Sequence, residues 1–218
     1  VLFRSAYDLT KAFNAPIELN ILLKDAELAE ALEVVEVSDN EIALLYENGL
    51  LKTVLTAGRY AFWKGIIEYK FVKADISKID IDANIDRATL LSKQLIGYVR
   101  TSAVENYEKA VMFVDGQFKT ILNSGVYYWW KNSITVVVGK VDMRQQQAEI
   151  NGQEILTKDK AALRINAFAQ YKVVDIEKAL LQNKEYDKQL YVAFQLALRE
   201  YVSTMGFDEL LEKKETIA

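Results

Sequence analysis

The side chains whose type suits acid–base chemistry are carboxylates, Asp142 with Arg144 and Glu154 with Asp159. Charge pairs of this kind near strand ends are ordinarily surface ion pairs that contribute little. Lys158-Asp159-Lys160 offers two point charges to a phosphate, but no glycine-rich loop precedes it, so a solvated turn is the expectation. Asp75, Asp80, Asp82 and Asp86 supply oxygens of the kind Ca²⁺ takes, without the loop spacing of an EF-hand. Gln145-Gln146-Gln147 reads as strand or linker surface. A hydrolase would have to run on Ser133 with Lys158 or on carboxylates, because the chain contains no histidine and no cysteine. That composition excludes Ser-His-Asp and Cys-His catalysis, imidazole and thiolate metal sites, and a disulfide framework. The expectation is a non-enzyme with no catalytic, cofactor-binding or metal-binding residues.

The remaining conspicuous stretch is aromatic. GVYYWWKNS, Gly125 to Ser133, places two tyrosines and two tryptophans side by side, and a near-copy, GRYAFWKGI, stands at Gly58 to Ile66. The chain has 218 residues, 51% of them hydrophobic, and a formal charge of −4. It can bury sizeable cores, and it lacks the basic footprint of a nucleic-acid binder. No apolar run approaches the ~18–20 residues needed to span a bilayer, and no signal peptide is visible, so the reading at this level is a soluble chain.

The near-copy belongs to a longer repeat. A shift of 67 positions lays Val37–Ile76 over Val104–Met143 with 14 of 40 residues identical, among them Gly49, Gly58, Tyr60, Trp63 and Asp75 with their partners. Asp8 precedes Asp75 by the same interval, so YDLTK, ADISK and VDMRQ share one position in three tandem units, the first truncated. VLFRS at the start fits the third-strand position poorly. Each unit reads as a β-meander: Asn48-Gly49 and Asp115-Gly116 are hairpin turns, Gly58 and Gly125 mark the next reversal, and Lys64-Gly65 or Lys131-Asn132 the one after. A polar or helical link then begins near Leu22, Leu90 or Leu156. Ala161–Val173 alternates as a half-buried strand. Asp175 caps a short helix, IEKALLQN. Tyr186–Ser203 is a longer helix with Leu190, Phe194, Ala197, Leu198 and Tyr201 on its packing face, and Asp208 caps a last helix, ELLEKKETIA. The fold class is α+β.

From Glu108 to Ile217 the order of features resembles the SPFH, or band 7, domain of stomatin, prohibitin, flotillin and slipin proteins, with bacterial slipins as the nearest group. The resemblance rests on Glu108-x-Ala110-Val111 leading to Gly116 and Gly125-x-Tyr127, and on Gln153-Glu154-x-x-Thr157-x-Asp159 with the strand after it. YVAFQLALREYVSTMGFDELLEKKETI, from Tyr191, completes it. Ser124-Gly125 stands where the family usually has Pro-Gly, and Lys213 or Lys214 where it often has Arg. The resulting division is 1–36, the end of a truncated first β-repeat with its connector; 37–103, a second β-repeat; and 104–218, a band 7 domain opening with the third β-repeat. The resemblance implies a membrane-associated oligomeric scaffold, at the bacterial inner membrane, that organises lipids or membrane proteins. Its implied partners are further copies of itself, membrane lipids reached through segments outside this sequence, and a membrane-bound protease, with no nucleic acid.

Two readings of the function follow, a scaffold of this type or a soluble protein-interaction module built from the tandem β-repeats. Alternation puts Tyr127 and Trp129 on one strand face and Tyr128 and Trp130 on the other. Tyr60 and Trp63 recur at Tyr127 and Trp130, which assigns that pair to packing the repeat. Trp129, Tyr128 and Phe62 are left as candidate membrane or partner contacts. On the long helix, Tyr191, Val192 and Leu196 are candidate self-association residues.

Overall fold

The computed structural model describes residues 7–213, so VLFRS and Lys214 lie outside the described residues. The two β-repeats are superimposable in sequence number. Strands β1 (Leu32–Val37), β2 (Glu41–Glu47), β3 (Leu50–Leu55), β4 (Gly58–Trp63) and β5 (Tyr69–Asp75) return, each shifted by 67, as β6 (Val99–Val104), β7 (Glu108–Val114), β8 (Gln117–Leu122), β9 (Gly125–Trp130) and β10 (Val136–Asp142). Asn48 and Gly49 have φ of 49° and 81°, and Asp115 and Gly116 have 49° and 77°, the backbone that a two-residue hairpin turn requires. A one-residue bulge follows at Lys52 and again at Lys119. The aspartate that ends each meander closes a local turn. Its Oδ1 accepts from the backbone N–H of Thr10, Ser77 or Arg144 at 3.0, 2.8 and 2.9 Å, after Asp8, Asp75 and Asp142 respectively.

The aromatic strands do not join the sheets of their own hairpins. The three-stranded sheets run β3-β2-β5 and β10-β7-β8, whereas β4 pairs with β1 and β9 with β6 as two-stranded ribbons. β1 and β6 are strands that the sequence reading placed in the links. The links themselves hold α1 (Leu19–Leu22) and α2 (Ala26–Ala31) in one case and α3 (Arg87–Leu90) in the other. Asp25 caps α2 and Asp86 caps α3 through side-chain acceptors. After Asp142 the third link is no helix. It is a long hairpin of β11 (Gln145–Leu156) and β12 (Ala162–Lys172), with Asn151-Gly152 bulged opposite Asn166.

Two compact units result, residues 1–102 with 127–135, and residues 103–126 with 136–218. In the first unit, Ile42–Leu45 are four consecutive buried residues, which means that both faces of β2 are covered. On one face Ala43, Leu45 and Leu55 pack with Val35 and Val37 of β1 and Phe62 of β4. On the other, Ile42, Leu44 and Ala74 meet Ile85, Leu90, Leu95 and Trp130, whose exposure is 0%. The indole is held by backbone bonds on both sides, Trp130 N–H to the Ile79 carbonyl at 2.8 Å and Lys131 N–H to the Tyr98 carbonyl at 2.7 Å.

In the second unit the corresponding sheet face, Val111 and Val141, is covered by Val173, Ile176 and Ala179. These come from the short helical segment after β12, which carries a π-helical turn over Lys178–Gln182. Asp175 accepts from Lys178 N–H at 3.0 Å, the expected cap. Gly139 stands where β5 has Val72, and a Cβ there would lie in contact with both Leu180 and Val111, 3.4 Å from each. Helix α4 spans Tyr186–Ser203 as expected and packs on β11. Its inward face is rotated from the expected one: Val202 is buried and Tyr201 exposed, while Leu190, Phe194 and Leu198 are half-buried. The last helix, α5 (Phe207–Glu212), starts before Asp208 with Gly206 at its N-cap.

Trp130→Ala is expected to lower the stability of the first unit by ~3–5 kcal/mol, the usual cost of emptying a buried tryptophan site. Trp63→Ala, at the same repeat position but only half-buried, is expected to cost clearly less. Urea unfolding of the two variants beside the parent checks the order.

Candidate functional site

The Gln-Glu-x-x-Thr-x-Asp segment ends in a tight turn between β11 and β12. Thr157 is the one buried polar side chain among the described residues. Its N–H donates to the Ala161 carbonyl at 3.0 Å, and its Oγ1 accepts from Ala161 N–H at 2.9 Å. The Thr157 hydroxyl donates to Asp159 Oδ1. Asp159 in turn accepts from Phe207 N–H at 3.2 and 3.1 Å, so it supplies from a distance the side-chain cap that Gly206 cannot give α5. Lys158 N–H donates to the Met205 carbonyl at 2.9 Å. These bonds pin the corner between α4 and α5 to the β11–β12 turn. The Thr157 hydroxyl first, and then the Phe207 N–H, hold the Asp159 carboxyl below its ordinary value of 3.8.

Beside this corner lies an open apolar groove of ≈ 830 Å³, lined by Leu163, Ile165 and Phe168 of β12 and by Tyr201, Phe207 and Leu211 of the helices. Phe168 is 65% exposed. A second apolar strip runs along the outer side of α4, where Val192 is 50% and Leu196 58% exposed. Tyr191, the third self-association candidate, is half-buried. Of the aromatic candidates, Trp129 at 7% and Phe62 at 3% exposure are interior, so their side chains present no contact surface on this chain. Tyr128 is half-buried in the Trp130 cluster, with the Arg87 guanidinium 5.7 Å from its ring centre. Tyr127 stacks on Trp129 at 5.9 Å, as the alternation requires.

The charged residues that suggested chemistry do structural work. Arg144 is bonded to Asp142 through Nε at 3.0 and 3.1 Å, and its guanidinium sits 3.8 Å over the Tyr107 ring. The Arg144 hydrogen bonds hold the Asp142 carboxyl below the usual carboxylate range. Asp75 is engaged by Ser77 and Asp86 by Thr89. Among the described residues no three acidic side chains gather as a metal site. Gln145–Gln147 open β11, with Gln146 accepting from the Tyr171 hydroxyl at 3.0 Å.

The second unit is therefore a mixed α+β domain in which a β-hairpin, a threonine–aspartate turn and two helices form one corner with an apolar groove beside it. A profile of the SPFH domain / Band 7 family matches residues 102–218, more than half of the chain. The chain belongs to the SPFH domain / Band 7 family. A stomatin homolog of Pyrococcus horikoshii is 32% identical over 114 residues, covering 52% of this chain and 42% of the relative. Stomatin of Mus musculus is 27% identical over 115 residues, 53% of this chain and 40% of the relative. An uncharacterized protein of Methanocaldococcus jannaschii is 40% identical over 78 residues, 36% of this chain and 39% of the relative. The chain thus spans about two fifths of the length of these relatives. The named ones are archaeal and mammalian stomatin proteins, not the bacterial slipins that the sequence reading favoured.

The role of Thr157 and Asp159 was not drawn from the sequence, although their spacing was part of the resemblance. Thr157→Val is expected to destabilise the second unit by ~1–3 kcal/mol, since it strips a buried hydroxyl from two partners. Asp159→Ala is expected to lower the melting temperature at neutral pH. Because the folded carboxyl titrates below 3.8, its contribution is fully present above that value and is lost as the pH falls through the lowered one. The Asp159→Ala difference should accordingly shrink below about pH 4. Thermal melts of parent and variant at pH 7 and in that acid range check the sign.

Proposed function

We propose that the chain is the SPFH part of a non-enzymatic, membrane-associated scaffold that assembles with further copies of itself and organises lipids or partner membrane proteins. The observation that carries the reading is the apolar surface left open on the second unit, the groove beside α5 and the strip at Val192 and Leu196, on a domain of the stomatin family. Apolar surface of this kind, rimmed by polar residues, ordinarily marks an interaction site. Its chemistry suits packing against a neighbouring subunit better than catalysis. None of the described helices is long and apolar enough to cross a membrane, so membrane attachment rests on other segments or on the partner surface. A membrane-bound protease belongs among the partners to test.

The decisive measurement is the size and membrane association of the full-length protein. Co-sedimentation with vesicles and a large homo-oligomer by mass photometry are expected. Val192→Asp with Leu196→Asp should shift the assembly toward smaller species while leaving the thermal melt unchanged. A full-length protein that stays monomeric and leaves vesicles unbound would count against the scaffold and for a soluble interaction module. Capture of a stoichiometric soluble partner by the β-repeats would strengthen that alternative.

A further inference from the structure

Trp63 and Trp130 hold the same repeat position in different states of completion. Both strands dock in the same way: Lys64 N–H donates to the Ala31 carbonyl at 2.9 Å, and its counterpart Lys131 N–H donates to the Tyr98 carbonyl at 2.7 Å. Both indoles rest on a link. Trp63 packs with Leu23, Leu28 and Leu32, the positions 67 residues before Leu90, Leu95 and Val99 in the Trp130 cluster. Tyr7, at the repeat position of Ala74, touches Trp63 with ring centres 5.8 Å apart, and Phe13 meets it edge-on at 5.2 Å. Trp130 has one component more. Ile42 and Leu44, on the central strand of the β3-β2-β5 sheet, close over it and bring its exposure to 0%. The described residues hold no counterpart of that pair near Trp63, which remains half-buried beside an exposed Tyr7.

We propose that the open side of Trp63 is the docking face for a further three-stranded β-sheet of the 67-residue repeat type. Such a sheet presents two aliphatic side chains in the places of Ile42 and Leu44. The interface is continuous in kind with the one that Trp130 makes inside the first unit, which is what identifies the occupant. The sheet of the second unit is closed differently. There Val173, Ile176 and Ala179 cover the sheet face, and Gly139 lies under Leu180, so no further aromatic strand is accommodated. One sheet is thus sealed by the tryptophan of the following repeat and the other by a helical segment. This holds whether or not the scaffold role above is correct.

The test uses residues 8–218 preceded by a copy of Leu32–Ala74 joined directly to Asp8, so that the copied Ala74 takes the place of Tyr7, with the copied Trp63 changed to Phe. Tryptophan is replaced by 5-fluorotryptophan, and the Trp63 fluorine resonance is identified by its loss in Trp63→Phe. In the unextended chain this resonance is expected to shift between H₂O and D₂O. In the extended chain the shift should fall to that of Trp130. It should return when the copied Ile42 and Leu44 are both changed to Asp. A copy that folds and leaves Trp63 solvent-sensitive, or that stays unfolded beside the folded chain, overturns the proposal. So does protection of Trp63 in the unextended chain that grows with protein concentration, because it would assign the face to a second molecule.

Discussion

An indole from one repeat closes the core of the repeat before it, and the first compact unit depends on that contact. Residues 127–135 belong by sequence to the later repeat and by packing to the earlier unit. A β-meander of this size offers two apolar faces and can cover only one of them with its own β1 and β4. Leaving Ile42 and Leu44 bare would forgo roughly 1.5–3 kcal/mol for each side chain. Trp130 supplies the cover in a single large side chain, and the backbone bonds of Trp130 and Lys131 set its depth. The aromatic strands accordingly stay apart from the sheets of their own hairpins, β4 pairing with β1 and β9 with β6.

The second unit meets the same requirement with other means. Its sheet face is covered by a helical segment, and Gly139, at the repeat position of Val72, lies under Leu180 of that segment. From that point the chain leaves the repeat pattern, inside the SPFH domain that already spans residues 102–218. The β11–β12 hairpin takes the place of a link, and Thr157 with Asp159 ties its turn to the helices. The long helix is held mainly along one side, which leaves Val192 and Leu196 in solvent and opens the groove beside α5. The apolar surface on which the functional reading rests is therefore a by-product of how the helices are anchored.

Much of this was legible in the residues, and for physical reasons. Positive φ at Asn48-Gly49 and Asp115-Gly116 follows from which residues tolerate it. The bounds of α4 follow from a clean helical period. The family segment around Thr157 is recognisable from types and spacing. What could not be read was which side of an aromatic strand faces outward. Alternation separates Trp129 from Trp130 but leaves open that both faces are covered, and so Trp129 and Phe62 were candidates for a surface that neither reaches. Strands β1 and β6 escaped because their mixed burial lacks a strict period. The cap of α5 comes from Asp159, 48 residues away, and no local pattern points to it.

By itself, the sequence determined the repeat, its turns, the helices and membership of the SPFH domain / Band 7 family, because all of these rest on local backbone preference or on spacing along the chain. Only the tertiary structure decided where each aromatic strand is spent, which side chains complete a core, and which apolar residues remain outside. Those outcomes depend on contacts between segments far apart in sequence. An indole with Ile42 and Leu44 above it is core, and the same indole without them is an open face.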